Sequence, residues 1–90
     1  MKTGNTVATR RVADKIAENK TFALQVTLAM QMYKKGNWGK ISDADKEMND
    51  QNAKSGTGSL MGAYMTCEGK IWIMTEHDRS VTTILFPDEY

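Results

Sequence analysis

Four adjacent ionisable side chains, Glu76, His77, Asp78 and Arg79, interrupt the apolar, β-branched C-terminal segment KIWIMTEHDRSVTTILFPDEY. With Ser80 they supply the hydroxyl, imidazole and carboxylate of a nucleophile relay. Neighbours on one turn cannot easily aim an imidazole at both a hydroxyl and a carboxylate while leaving an oxyanion site, so the spacing argues against acyl transfer. Glu76, His77 and Asp78 have metal-ligand chemistry too. Consecutive residues alternate sides, however, and the chain has only this one His and one Cys, Cys67, so ligand spacing is lacking. Arg79 is more naturally an ion-pair partner of Glu76 or Asp78 that fixes the turn, with Ser80 and Thr82 capping free amides. An arginine flanked by acids on a rigid tip also suits an interface anchor. No catalytic residue, metal or cofactor is assigned.

The elements that must position this tip follow from periodicity. Thr9 is an N-cap for RRVADKIAEN, with Val12, Ala13, Ile16 and Ala17 at helical spacing, after a short extended arm at Thr6 to Ala8. Thr21 caps a second helix, FALQVTLAMQMYKK, which stops at Gly36; apolar residues surround most of this 21–35 cylinder, as in a helix central to the core or to a homodimer. Ser42 and the acids after it start a third helix over 43–55, with Gly56 past its end. Only Ala44, Met48 and Ala53 offer it a buried side, so it should lie shallowly on the surface. The runs 59–66, 70–75 and 81–86 are strand-length, and their short connections force antiparallel neighbours. The expected fold is α+β: two to three N-terminal helices packed on a C-terminal three-stranded antiparallel meander with 70–75 in the middle. Both faces of that sheet are partly apolar, which implies helices on one and aromatics or a partner on part of the other. Trp72 reads as core. Trp38, between Gly36 and Gly39, reads either as a plug packing its loop or as an exposed anchor.

Ninety residues with 40% hydrophobic and 26% charged side chains make one domain, 1–90, with a thin core. No run matches a membrane span, the opening MKTGNTVATRR has no apolar signal core, and the lone Cys67 has no disulfide partner; together these predict a cytoplasmic protein. The net charge of +1 conceals an asymmetry. Residues 1–40 hold eight Lys/Arg against two Asp/Glu, and residues 41–90 hold four against nine. In so small a domain the two halves should intermix. Segregated, one face would meet phosphate or an acidic protein and the other a basic one.

The stretch GNWG, the acidic helix with Asp45 and Asn49, and the final segment together resemble a family of short, poorly characterised proteins carried by plasmids, integrative elements and phages of Gram-positive bacteria. Its pattern is filled here by Trp72, Ile73, Thr75, Glu76, Asp78, Arg79, Ser80, Thr82, Thr83, Leu85, Pro87 and Tyr90. Asn37 and Lys40 depart from it where many relatives carry acids. The resemblance implies a mobile-element setting, in which small proteins serve transfer, copy control or suppression of host restriction and CRISPR nucleases; this is analogy rather than chemistry.

Two function classes follow. The first is a non-enzymatic mobile-element accessory protein that binds a host or element-encoded protein with a basic groove, as an anti-CRISPR or anti-restriction inhibitor would. Its binding residues would be Asp43, Asp45, Glu47 and Asp50 with Trp38, Glu76, Asp78 and Arg79, aided by the terminal Asp88 and Glu89. The second is a small nucleic-acid binder or RNA-cleaving toxin using Arg79, His77 and Lys70 for phosphate contact and proton transfer. Direct nucleic-acid binding is disfavoured, because the sheet region sets only Lys70 and Arg79 against Glu68, Glu76 and Asp78. A solvated basic face at Arg10, Arg11, Lys15 and Lys20 is the fallback surface.

Overall fold

Each helix starts on a side-chain oxygen that the sequence supplies. In the computed structural model, which describes residues 3–90, helix α1 (Arg10–Glu18) is capped by Thr9, whose hydroxyl accepts from Val12 N at 3.3 Å. Met1 and Lys2, the first residues of the stretch read for a leader, lie outside the described residues. Helix α2 (Lys20–Lys34) begins two residues earlier than a Thr21 cap allows, because Asn19 is its cap and accepts from Phe22 N at 3.1 Å. Asn19 also ends α1, its N–H reaching Lys15 O at 2.9 Å, so one extended residue joins two helices. Helix α3 (Asp43–Ser55) runs from its Ser42 cap to Gly56, whose φ of 75° is the left-handed C-terminal stop.

The strands are β2 (Leu60–Thr66), β3 (Gly69–Thr75) and β4 (Val81–Leu85), joined as the expected antiparallel meander, with a 3-10 turn at Pro87–Glu89. A fourth strand corrects the three-stranded sheet. The N-terminal arm is β1 (Asn5–Ala8), paired in parallel with β4, so the sheet is mixed, its order is β1-β4-β3-β2, and β3 and β4 share the centre. Its Gly4, at φ 60°, passes so near the Arg79 and Ser80 carbonyls that a Cβ there would collide with them.

Helices α1 and α2 cover one sheet face. Phe22, Val26, Ala29 and Tyr33 form the inward stripe of α2 and meet Leu60, Tyr64, Ile71, Ile73, Ile84 and Phe86. Leu24, Leu28 and Met32 point the other way, so α2 contributes a half-cylinder to this core rather than a full one. Beneath α2 a buried chain of hydroxyls ties the layers together. Tyr33 Oη lies 2.6 Å from Thr75 Oγ1, Thr75 Oγ1 lies 2.7 Å from Thr82 Oγ1, and Thr82 Oγ1 donates to Thr3 O at 2.5 Å. A carbonyl can only accept, so the polarity is fixed: Tyr33 donates to Thr75, Thr75 to Thr82, and Thr82 to Thr3. Burial pushes the Tyr33 phenol up to about 12.

Helix α3 docks mainly through polar side chains, which corrects the apolar side expected for it. Ala44 and Met48 are exposed and Ala53 is half-buried, whereas Asn49 is buried and grips the β2 backbone, donating to Met61 O at 2.7 Å and accepting from Met61 N at 3.3 Å. The helix is shallow, as its composition requires.

Candidate protein-binding surface

The 76–80 turn is built by Arg79. Its φ of 63° puts it in the left-handed region, which a non-glycine residue occupies at a cost of about 1–2 kcal/mol. Its N–H closes the turn on Glu76 O at 2.9 Å. Its guanidinium leaves the turn altogether, donating to Gly58 O at 2.5 Å, Asn52 O at 2.8 Å and Thr57 O at 3.4 Å. Arg79 therefore holds the negative end of α3 and the loop after it. Neither the ion pair with Glu76 or Asp78 nor the interface anchor describes this side chain. Asp78 caps Ser80 N at 3.0 Å, and hydrogen bonds from Ser80 hold its carboxyl below the ordinary carboxylate value. Glu76 and His77 are exposed on the tip.

The groups of the phosphate-cleaving reading do not converge. Lys70 is the second residue of β3 and His77 lies past its end, so about 16 Å of strand separates their backbones at roughly 3.3 Å per residue, and Arg79 is committed to carbonyls. Among the described residues no cluster of three His, Cys, Asp or Glu could hold a metal ion, and no helix is long and apolar enough to cross a membrane.

Trp38 is the plug and not the anchor. It is buried, meets Tyr33 edge-on at 5.3 Å between centroids, and donates from Nε1 to Asp50 at 2.8 Å. Gly39 beside it has a φ of 73°, and a Cβ there would strike Ala63 O and the Tyr64 ring. Asp50 is accordingly a structural acceptor, although its position on α3 is exposed. The terminal acids are also spoken for, near α1 rather than α3. Asp88 takes two bonds from Arg11 at 2.8 and 2.9 Å, and Glu89 Oε1 accepts from Thr9 Oγ1 at 2.9 Å and Phe86 N at 2.8 Å. Asp88 holds the Arg11 guanidinium above its ordinary value, and Lys15 lies 3.6 Å from Glu68. Basic and acidic halves of the chain do intermix here.

Besides Glu76 on the tip, the three α3 acids Asp43, Asp45 and Glu47 remain. All three are exposed, and among the described residues none of their carboxylates has an intramolecular hydrogen bond or ion pair. Asp45 lines a groove of about 280 Å³ between α3 and the sheet, whose apolar part is Met48, Met61 and Met74 with Leu60, while Asp43 and Glu47 belong to the same helix outside that lining. Met61 and Met74 are cross-strand partners on the face that α1 and α2 do not cover. Trp72 lies on that same face, half-buried, with the Tyr90 ring edge-on at 5.7 Å, so it is not the core residue its strand position suggested. Val7 at 46% exposure and Tyr90 at 82% extend the apolar surface. Methionines adapt their shape to different contact surfaces at low cost, a property suited to protein recognition.

Sequence reasoning found the acids of α3 and missed the methionines, which are scattered over three elements. The period-two alternation of 70–75 already placed Trp72 and Met74 together, and it was the available signal. Compared with protein-family models, curated proteins and solved structures, the chain has no match.

Proposed function

We propose that the protein is a non-enzymatic binding protein whose contact surface is the outer side of α3 and the adjoining open face of the sheet. The observation that carries this reading is a methionine-lined groove at Met48, Met61 and Met74 with the uncommitted carboxylate of Asp45 on its wall, on a helix that exposes two more uncommitted carboxylates, Asp43 and Glu47. Carboxylates with no internal role steer a basic partner, and the groove supplies the apolar contact that holds it. Trp38, Asp50 and Arg79 support that surface from behind and are not offered as contacts. A basic, nucleic-acid-binding protein of host defence is the partner class suggested by the resemblance in 72–90; the geometry supports only the basic and apolar character of its surface.

The test compares wild-type protein with an Asp43→Lys, Asp45→Lys, Glu47→Lys variant as bait for host proteins, followed by binding kinetics on the purified partner. Asp50 is left intact because its reversal would break the indole bond. The triple variant should keep its fold and lose the partner. Association of the wild type should slow as salt shortens the Debye length from roughly 10 Å toward 3 Å. Equal capture by the folded triple variant would refute the acidic surface as the contact and return attention to Arg10 and Lys20 on the basic face.

A further inference from the structure

Strand β2 is an edge, and the rest of the chain caps its outward-facing backbone almost position by position. Asn52 Nδ2 donates to Ser59 O at 2.9 Å, and Asn49 grips both backbone groups of Met61. Ala63 exchanges bonds with the 38–40 loop, its N–H to Trp38 O at 3.0 Å and its carbonyl from Lys40 N at 2.7 Å. Past the end of the strand, Cys67 N donates to Gln25 Oε1 at 2.8 Å. The period of two makes Met65 the remaining outward-facing position, and among the described residues nothing caps its N–H or carbonyl. Beside this gap lies a second groove of about 280 Å³, walled by Leu28 and Met32 of α2 and by Tyr64 and Met65. Leu28 and Met65 are 47% and 56% exposed, so an apolar contact is on offer next to an open backbone pair.

The charged side chain in its lining is basic. Lys40 lines the groove, Lys35 lies one helical turn beyond Met32, and Lys70 pairs across the sheet from Met65. The acid close by in sequence, Glu68, is already held by Asn19 at 2.8 Å and Lys15 at 3.6 Å. We propose that this groove docks an extended segment of a partner protein in which an apolar residue is flanked by acidic ones. The segment's backbone pairs with Met65, its apolar side chain enters beside Leu28, and its carboxylates meet Lys35 and Lys40. A second copy of this chain is a poor occupant, because packing two α2 stripes about a two-fold axis through Leu28 would bring Lys20 of each copy against Lys35 of the other.

A fluorescein-labelled, blocked heptapeptide with a Val-Leu-Val centre and two acidic residues at each end tests this by anisotropy and amide chemical shifts. Saturable binding below about 1 mM is expected, with the Met65 amide among the signals that move. A counterpart with lysines for the acids, or one N-methylated at the central leucine, should bind at least tenfold more weakly. Leu28→Asp and Lys40→Glu, both at exposed positions, should each weaken the acidic peptide at least tenfold, whereas the triple reversal on α3 should leave it unchanged. The proposal is overturned if the acidic peptide fails to saturate, if the basic or N-methylated peptide binds equally, or if the free protein dimerises in a manner abolished by Leu28→Asp.

Discussion

Replacing Arg79 separates two opposing contributions at a single residue. Its guanidinium makes two short bonds, at 2.5 and 2.8 Å, and a longer one at 3.4 Å, all to carbonyls of 52–58. A hydrogen bond from a charged donor contributes about 1.5–3 kcal/mol net, and partial exposure puts these at the low end, so the two short bonds together stabilise the fold by about 3 kcal/mol. Arg79→Ala removes them and keeps the left-handed backbone cost, because alanine at φ 63° is no better placed than arginine. Arg79→Gly removes the same bonds and relieves about 1 kcal/mol of that cost, for a net loss of about 2 kcal/mol. At roughly 4–8 °C per kcal/mol for a domain of this size, Tm should fall by about 12–24 °C in Arg79→Ala and by visibly less in Arg79→Gly. Urea unfolding measures the free energies, and amide exchange should show the last turn of α3 opening first. If Arg79→Ala lies within about 0.5 kcal/mol of wild type, or is the more stable of the two variants, Arg79 is not the clamp between the turn and α3.

Two further outcomes concern the buried hydroxyl chain. Thr82→Val removes the donor to Thr3 O and the acceptor of Thr75, and should cost about 2 kcal/mol in urea unfolding, whereas Thr82→Ser, which keeps the hydroxyl, should lose clearly less. The Tyr33 phenol ionises at about 12 in the folded protein against an ordinary value of 10.0, so its neutral form is favoured by folding. Its contribution is therefore complete below pH 10 and declines as the pH rises through about 12. Stability measured over that window should fall less steeply in Tyr33→Phe than in wild type.

Local signals in the sequence carried far and then stopped at definable points. Thr9 and Ser42 as caps, Gly56 as a stop and the two short strand connections are each decided by residues within a few positions of one another, and all appear in the structure. Thr21 reads as the cap of α2 because Asn19 closes the segment RRVADKIAEN; in the structure Asn19 both ends α1 and caps α2, and a tertiary bond from its Nδ2 to Glu68, 49 residues away, holds it in place. Strand β1 is four residues long, and its partner β4 lies at the other end of the chain. Nothing in NTVA announces a parallel pairing, because the register is set by contacts with Val81 to Ile84 and not by any local turn.

The candidate site shows the same boundary at the level of side chains. The charged tip drew attention because ionisable groups crowd it, yet its one half-buried member, Arg79, spends its donors on backbone carbonyls 21 to 27 residues away, and the carboxylate of Asp78 serves the turn. Among the acids that remain uncommitted, Asp43, Asp45 and Glu47 belong to a helix whose attachment is almost wholly polar. Asn49, Asn52 and Asp50 tie α3 to β2 and to Trp38, while Arg79 tethers its far end. These bonds hold α3 beside the open sheet face with its apolar residue Met48 still exposed. A helix docked through leucines would have had to turn that residue inward. Polar docking is thus what leaves methionine and carboxylate together at the surface, where a partner can use both.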